Sequence, residues 1–496
     1  MSERVVFNIR NAVKTRVEGP FEAYRHLTSS LMIAHPKARF MRAVKLRRWD
    51  GMVRFFNSNT KTLDTGLVYR ASKVLKKEGY ECETVRPRIP RFQERQPQGL
   101  LDIDELRDYQ IRAVDQLLRV LRLAIQCPTG SGKTEIGAEI CRRTGYPTLW
   151  VVHSKDLLRQ TAKRLRVLLQ DEPIGVIGDG YFNVELNTVA TVQSLSKIET
   201  PRFWEPWHAL IIDEAQHTSA ETWYWVASQC KNAHVRVGLS GTIKTGDPIR
   251  DMKLEGATGP RSVITKSKTL VDKGILARPR IVMLRPPAET YPTYQLVRDE
   301  ICPEWRDNRR VLSKKGSELF TTAYIRGIVK NETRNKWISS IVAYHILRGD
   351  KVLVLCSRIP HGELLSRACG ATFLHGKVDA AERERYLETF QEETNGACLV
   401  ASTIFDEGVN IPEVDVLVLS GGGQSTIKTL QRLGRGLRRR PGKEEVVVYD
   451  FLDGADTEES KDYLAVHSAR RLQDFRDEGY KVSVTETLDF SWLGTA

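Results

Sequence analysis

Residues 127–134 read Cys127-Pro-Thr-Gly-Ser-Gly-Lys-Thr134, behind the largely apolar run Leu121–Ile125 and ahead of Glu135-Ile-Gly-Ala-Glu-Ile-Cys141. The run is short enough for a buried strand, and the spacing behind the loop is that of a helix start. Strand, glycine-rich turn and helix form the setting that a phosphate loop requires. Gly130 and Gly132 let the backbone curl, so that N–H groups from Thr129 to Gly132, Ser131 included, point inward at a polyphosphate. The helix N-terminus adds its positive dipole end. Lys133 reaches the β/γ-phosphates and the Thr134 hydroxyl is placed to ligate Mg²⁺. The general pattern G-x-x-x-x-G-K-[ST] has glycine where this chain has Cys127. Taken alone, such a loop is also compatible with a plain tight turn, so its neighbours must decide.

About 80 residues on stands Leu210-Ile-Ile-Asp213-Glu214-Ala-Gln-His217, an apolar strand ending in two acids. At the carboxyl end of a strand beside a phosphate loop, Asp213 holds Mg²⁺ and Glu214 orients and deprotonates the attacking water. A second dense signal lies at Gln431-Arg-Leu-Gly434-Arg435-Gly-Leu-Arg438. Arginines three apart share a helix face and suit one phosphate cluster. That spacing favours arginine fingers over a merely solvated basic face.

The 496 residues allow two to four domains, and 41% hydrophobic with 28% charged residues describes a globular chain. No apolar run approaches the ~18 residues of a membrane span, so no membrane partner is expected. The start, Met-Ser-Glu-Arg-Val-Val-Phe, has no signal-peptide profile, and a cytoplasmic location follows as the expectation. The eight cysteines form no C-x-x-C pair, which argues against zinc, iron–sulfur and disulfide frameworks. Charge is unevenly placed: residues 1–100 carry 21 Lys/Arg against 9 Asp/Glu, an excess of 12 out of the net +14. That concentration marks a module for polyanions, with an ordinary solvated surface as the alternative.

In chain order, 4–10 read as a strand, 21–33 as a helix, 40–56 as a basic strand pair around Arg47-Arg48-Trp49-Asp50-Gly51, and 66–80 as a second helix. A Pro- and Arg-rich connector follows Val85. From Leu106 strands and helices alternate, as in a doubly wound parallel sheet, with strands expected at 121–126, 148–152, 174–177, 187–190, 209–212 and 235–239. A second series has strands at 351–356, 371–374, 397–401, 414–419 and 445–450. The expected fold is α/β: a small basic domain with its linker at 1–98, then two tandem RecA-like domains at 99–270 and 271–496.

Taken together and in this order, the motifs resemble those of superfamily 2 helicases over roughly residues 106–440. Many of these use the P-T-G-S-G-K-T loop, which accommodates Cys127. Leu106-Arg-Asp-Tyr109-Gln110 resembles the Q motif, implying that Gln110 reads the adenine edge with Tyr109 packed nearby. Asp213-Glu-Ala-Gln216-His217 departs from both DEAD and DEAH. Leu239-Ser240-Gly241-Thr242 resembles motif III, whose hydroxyls couple the ATP site to strand binding. Ala401-Ser402-Thr403 with Gly408-Val-Asn410 resembles motif V, and 431–438 motif VI. Weaker matches are Val152-His-Ser-Lys155, Thr191-Val-Gln193-Ser194, Cys356-Ser357-Arg358 and His375-Gly376. Trp49-Asp-Gly51 with Gly66-Leu-Val68, the segments 334–338 and 450–453, and the stretch 466–481 are similar to phage UvsW-type helicases.

The resemblance implies ATP and Mg²⁺ as cofactors, with Lys133, Asp213, Glu214, Gln431, Arg435 and Arg438 as the catalytic set. It implies action on branched or forked duplex and single-stranded DNA, RNA of R-loops included, by a monomer. Ser240, Thr242, Thr191, Gln193, Ser402, Thr403, Arg47, Arg48 and Trp49 are then the strand-binding and coupling residues, Trp49 as a stacking ring unless it is a core tryptophan. Deleting 1–98 is expected to spare much of the basal ATPase. A duplex translocase that separates no strands, an RNA helicase, and a basic architectural protein with a degenerate nucleotide site are the alternatives.

Overall fold

The computed structural model describes residues 3–89, 106–170, 172–241, 243, 245–305, 315–402, 414–423, 445–455, 462–477 and 479–488. The chain divides into two compact units, Met1–Lys266 and Ser267–Ala496.

The first unit begins with the basic module. Its strands are β1 (Arg4–Ile9), β2 (Lys14–Glu18), β3 (Met32–Ala34), β4 (Met52–Arg54), β5 (Phe56–Asn57), β6 (Thr62–Asp64) and β7 (Glu81–Val85). Five of them form a sheet in the order β5-β6-β2-β1-β7, and β3 pairs with β4 alone. The helices Phe21–Ser30 and Val68–Lys77 bury Leu27, Ala71 and Leu75 against Val5, Phe7 and Val17 of β1 and β2. The expected basic strand pair over 40–56 is not formed: Arg42–Lys45 is a short helix, and β4 pairs back to β3. The Asp50-Gly51 turn is real, but it links helix to strand. Gly51 takes φ +81°, and Asp50 Oδ1 accepts from the Met52 N–H at 3.0 Å.

The larger sheet of this unit contains β8 (Arg122–Gln126), β9 (Thr148–Val152), β10 (Ile174–Gly178), β11 (Tyr181–Asn183), β12 (Asn187–Thr191), β13 (Ala209–Asp213), β14 (Val235–Ser240) and β15 (Arg261–Val263). Its order is β11-β10-β12-β9-β13-β14-β8-β15, parallel except for the edge hairpin of β10 and β11. Strands covered on both faces read as continuous apolar runs, which is why six of the eight are visible in the sequence. Helices lie on both faces, over two separate apolar cores.

The module is seated on this sheet domain, not tethered to it. A Cβ at Gly66 would lie 2.1 Å from the Glu255 carbonyl oxygen and 2.5 Å from that of Gly256. Only glycine permits so close a backbone approach. Arg70 Nε donates to Glu255 at 3.0 Å, the Ala12 N–H to the Lys231 carbonyl at 2.7 Å, and the Tyr224 hydroxyl to Asp64. Met252, from the Pro248–Ala257 helix, completes the module's own core. Removing residues 1–98 would therefore strip a packed face from the sheet domain.

The second unit has one parallel sheet of β16 (Arg278–Leu284), β17 (Lys351–Leu355), β18 (Thr372–Leu374), β19 (Ala397–Ala401), β20 (Val416–Leu419), β21 (Glu445–Phe451) and β22 (Lys481–Thr485), ordered β18-β19-β17-β20-β21-β16-β22. Two of the segments singled out in the sequence meet inside it. Arg334 Nε donates to Asp453 at 2.8 Å with both side chains buried, and the guanidinium lies 4.0 Å from the Phe451 ring centroid. Arg471 forks onto both Asp450 oxygens at 2.9 and 3.0 Å. Those residues build the core of this unit. Each unit is an α/β domain of the RecA-like kind, the first carrying the small basic module in addition.

Candidate active site

In open parallel sheets, ligands lie outside the carboxyl ends of the strands. Here β13, β14 and β8 are adjacent and parallel, so the chain leaves all three at one edge. Asp213 ends β13, Ser240 ends β14, and the glycine-rich loop begins after Gln126 of β8. The Cys127 N–H donates to the Ser240 carbonyl at 3.0 Å, tying the first and third motifs together.

The loop turns through Gly130 at φ +80° and Gly132 at φ +79° into the helix Lys133–Thr144. Cys127 is fully buried and packs in the core beneath the loop, where burial pushes its thiol up to about 11. The residue that replaces the usual glycine is thus an inert core side chain. Lys133 and Thr134 are half-buried at the helix start.

Gln110 is 2% exposed, and its amide is committed to the loop. Its Oε1 accepts from the Arg107 N–H at 2.8 Å, and its Nε2 donates to the carbonyls of Ser131 at 2.9 Å and Gly132 at 3.4 Å. The Tyr109 hydroxyl donates to the same Ser131 carbonyl at 2.5 Å. A side chain at position 132 would meet the Gln110 amide, its Cβ lying 2.2 Å from Nε2. Both residues thus hydrogen-bond to the carbonyls of the glycine-rich loop.

Glu214 sits at φ +48°, ψ +52°, a left-handed conformation for a non-glycine residue. Such backbone costs on the order of 1–3 kcal/mol and persists where surrounding contacts hold it. Its own N–H donates to Asp213 Oδ1 at 2.9 Å, and Gln216 Nε2 donates to its Oε2 at 2.8 Å. The Ser240 hydroxyl donates in turn to Gln216 Oε1. Gln216, noted in the sequence only as a departure from DEAD and DEAH, is the bridge between the acid pair and the third motif. No sequence signal marks that role, because it depends on a contact 24 residues away.

The same edge carries the weaker motifs. Ser154 caps the helix Lys155–Leu168, and Lys155 pairs with Asp179 at 3.2 Å. Thr191 caps the turn after β12, its hydroxyl 2.9 Å from that of Ser194, and the exposed Gln193 donates to the His153 carbonyl at 2.9 Å. The His153 ring lies 5.5 Å from that of His217. Within the second unit, Cys356–Arg358, His375 and Ser402 follow the carboxyl ends of β17, β18 and β19. Thr242, Thr403, Gly408, Gln431, Arg435 and Arg438 lie outside the described residues.

In the module, Arg47 and Arg48 are exposed. Trp49 is half-buried: its Nε1 donates to the Met52 carbonyl at 3.0 Å, and its ring meets His35 edge-on at 5.8 Å.

The left-handed loop glycines, the hydroxyl of Thr134 and the carboxylate of Asp213 are a donor set whose chemistry suits a polyphosphate with Mg²⁺. Among the described residues no cluster of three His, Cys, Asp or Glu is placed to hold a metal.

Family models match two stretches: the type III restriction enzyme res subunit over residues 103–245, and the ERCC3/RAD25/XPB C-terminal helicase over 323–491. The chain is a superfamily 2 helicase. It is an enzyme, an ATP-dependent DNA helicase or translocase. Over 368 residues the helicase is 28% identical to the DNA 3′-5′ translocase XPB2 of Sulfurisphaera tokodaii, covering 69% of this chain and 81% of that one. Over 488 residues it is 24% identical to the ATP-dependent DNA helicase uvsW of Enterobacteria phage T4, covering 89% of this chain and 91% of the phage protein. The crystal structure of T4 UvsW aligns over 98% of this chain and 99% of its own, at 21% identity and a TM-score of 0.45. No helix among the described residues is long and apolar enough to cross a membrane.

Proposed function

We propose that this helicase remodels branched DNA, using ATP to unwind and rewind forks, Holliday junctions and R-loops as a monomer. One observation carries the reading: the basic module is packed onto the ATP-binding half while its Arg47 and Arg48 remain exposed. A motor with a rigidly held cationic surface is suited to gripping duplex at a junction while it moves along one strand. Contacts of guanidinium to phosphate fix position without reading sequence.

In this reading the loop amides and Lys133 bind and orient the β/γ-phosphates. Glu214, held in place by Gln216, orients the attacking water and takes its proton. Thr134 and Asp213 would hold Mg²⁺, which would supply charge neutralisation for the phosphoryl transfer. Gln431, Arg435 and Arg438 supply the positive charge that the transferring phosphoryl needs, and Ser240 and Thr242 pass the state of the site to bound DNA. Gln193, Thr191, Ser402 and Thr403 follow the tracking strand.

Similarity to the DNA 3′-5′ translocase XPB2 of Sulfurisphaera tokodaii supports a second reading: movement along duplex without strand separation. Fork, Holliday-junction, R-loop, linear duplex and duplex RNA substrates, each given with ATP, separate the two. Branched-DNA remodelling predicts strand exchange at junctions well above that on linear duplex. Triplex displacement with no strand separation on any substrate would favour the translocase. Arg47→Ala with Arg48→Ala should lower junction affinity and reduce the salt slope by about 0.9 per lost phosphate contact. An unchanged slope would remove these arginines from the DNA interface.

A further inference from the structure

Beneath the amino end of β8, where the module meets the sheet domain, the first unit holds a half-open cavity of about 480 Å³. That is within the ~300–1,000 Å³ usual for small-molecule sites. Arg86, Arg122 and Arg261 line it together with His234, and no acidic side chain among the described residues does. It lies at the opposite end of β8 from the phosphate loop, about 16 Å away at 3.3 Å per residue.

The positive charge is poorly compensated. Arg122 donates one guanidinium nitrogen to the Ala12 carbonyl, while its Nη1 is buried without a hydrogen-bond partner among the described residues. Behind it Arg236, 1% exposed, spends its guanidinium on the carbonyls of Ala233, Ala257 and Cys230 and pairs with no carboxylate among the described residues. The nearest acid, Asp64, is held by Lys14 at 2.7 Å and by the Tyr224 hydroxyl. Burial, reinforced by Arg236 and Arg86, pulls Arg122 well below the usual arginine range. Burial likewise draws His234 down to about 4, with Arg122 adding to the effect. A buried unpaired guanidinium is costly, and an anion is the group that removes the cost. The rest of the wall mixes the neutral polar side chains of Thr65, Ser72, Thr84 and Gln116 with apolar ones, and Val120 and the exposed ring of Tyr69 are available to an organic body.

We propose that this cavity is a second anion site, distinct from the phosphate loop, which takes a phosphomonoester with its organic part along Tyr69 and Val120. The proposal does not depend on the branched-DNA reading. A free mononucleotide and the 5′-phosphate end of a DNA strand carry the same chemistry, and the test separates them.

The test is isothermal titration of the full chain carrying Lys133→Ala, without divalent metal, so that the phosphate loop is weakened. The probes are dTMP, deoxythymidine, and a short oligonucleotide with either a 5′-phosphate or a 5′-hydroxyl. Because Arg122 also anchors Ala12, the informative variants are Arg86→Ser and Tyr69→Ala, both at exposed positions. The expected result is saturation at one dTMP or one phosphorylated end per chain, no binding of deoxythymidine, a loss of about tenfold or more with Arg86→Ser, and several-fold with Tyr69→Ala. Saturation by dTMP alone identifies the ligand as a free nucleotide; dependence on the oligonucleotide's 5′-phosphate identifies a strand end. Absence of saturation with every phosphorylated probe, or an affinity unchanged by both variants, would overturn the proposal.

Discussion

Replacing Gln216 by alanine isolates the step at which the acid pair is connected to the third motif. Gln216 Nε2 lies 2.8 Å from Glu214 Oε2, and its Oε1 accepts from the Ser240 hydroxyl. A hydrogen bond to a charged carboxylate is worth about 1.5–3 kcal/mol. Glu214 is already in a costly left-handed conformation, so losing this contact frees a carboxylate whose aim the reaction needs. If about 2 kcal/mol of that interaction is realised only in the transition state, kcat falls about 30-fold. The KM for ATP should change little, because Gln216 does not touch the loop that holds the phosphates. Ser240→Ala removes the outer bond only and should cost about 3- to 10-fold. The double variant should be no slower than Gln216→Ala alone, since both act through the same carboxylate. The assay is steady-state DNA-stimulated ATP hydrolysis, with circular dichroism to establish folding. An unchanged kcat in folded Gln216→Ala, or effects of the two substitutions that multiply fully, would refute the bridge.

Three further outcomes follow from packing and burial. Gly66→Ala places a methyl 2.1 Å from the Glu255 carbonyl oxygen and should loosen the module by about 1–3 kcal/mol; limited proteolysis should then cut between module and sheet domain, and wild-type resistance would count against the tight fit. Arg334→Met leaves Asp453 without the guanidinium that it meets at 2.8 Å inside the second unit, a loss of about 3–5 kcal/mol on breaking a buried pair; denaturation midpoints test this, and a shift under 1 kcal/mol would contradict it. His361 is fully buried, its Nε2 paired with Asn335 at 3.0 Å, and burial followed by the charge of Arg334 draws it down to about 3. Its folded value is below the ~6.5 of an unfolded histidine, so its contribution is complete above that pH and fades as pH falls toward 3, by up to about 1.4 kcal/mol per unit. Urea midpoints at pH 7.5 and 5 should show the drop, and His361→Gln should lessen it; equal slopes would exclude His361 as the source.

What the sequence disclosed depended on how local each feature is. The phosphate loop and Asp213-Glu214 are contiguous and lie in central parallel strands, where apolar runs stand out. β16 is not legible in the sequence because Arg278-Pro-Arg opens it with two charges and a proline, and β22 because Lys481-Val-Ser-Val-Thr485 alternates like an edge strand far from its neighbours in sequence. The segment 40–51 carries strand-like basic and aromatic residues but folds as helix and turn, since the strand that β4 needed was supplied by Met32–Ala34. Gln110, Gln216 and Gly66 have roles that exist only through tertiary contacts, with Ser131, with Ser240 and with Glu255. No spacing rule encodes these. Cys127 is the reverse case: a departure from the motif in sequence, and an ordinary core residue in space.

In the proposed mechanism one edge of the first sheet is the ATP-hydrolysing site, and Glu214 activates water there. The most direct measurement is single-turnover ATP hydrolysis with DNA by wild type and Glu214→Gln, alongside binding of a fluorescent ATP analogue. Glu214→Gln should retain nucleotide binding while hydrolysis slows by about 10²-fold or more, and Lys133→Ala should lose both. Wild-type hydrolysis in folded Glu214→Gln would contradict this mechanism.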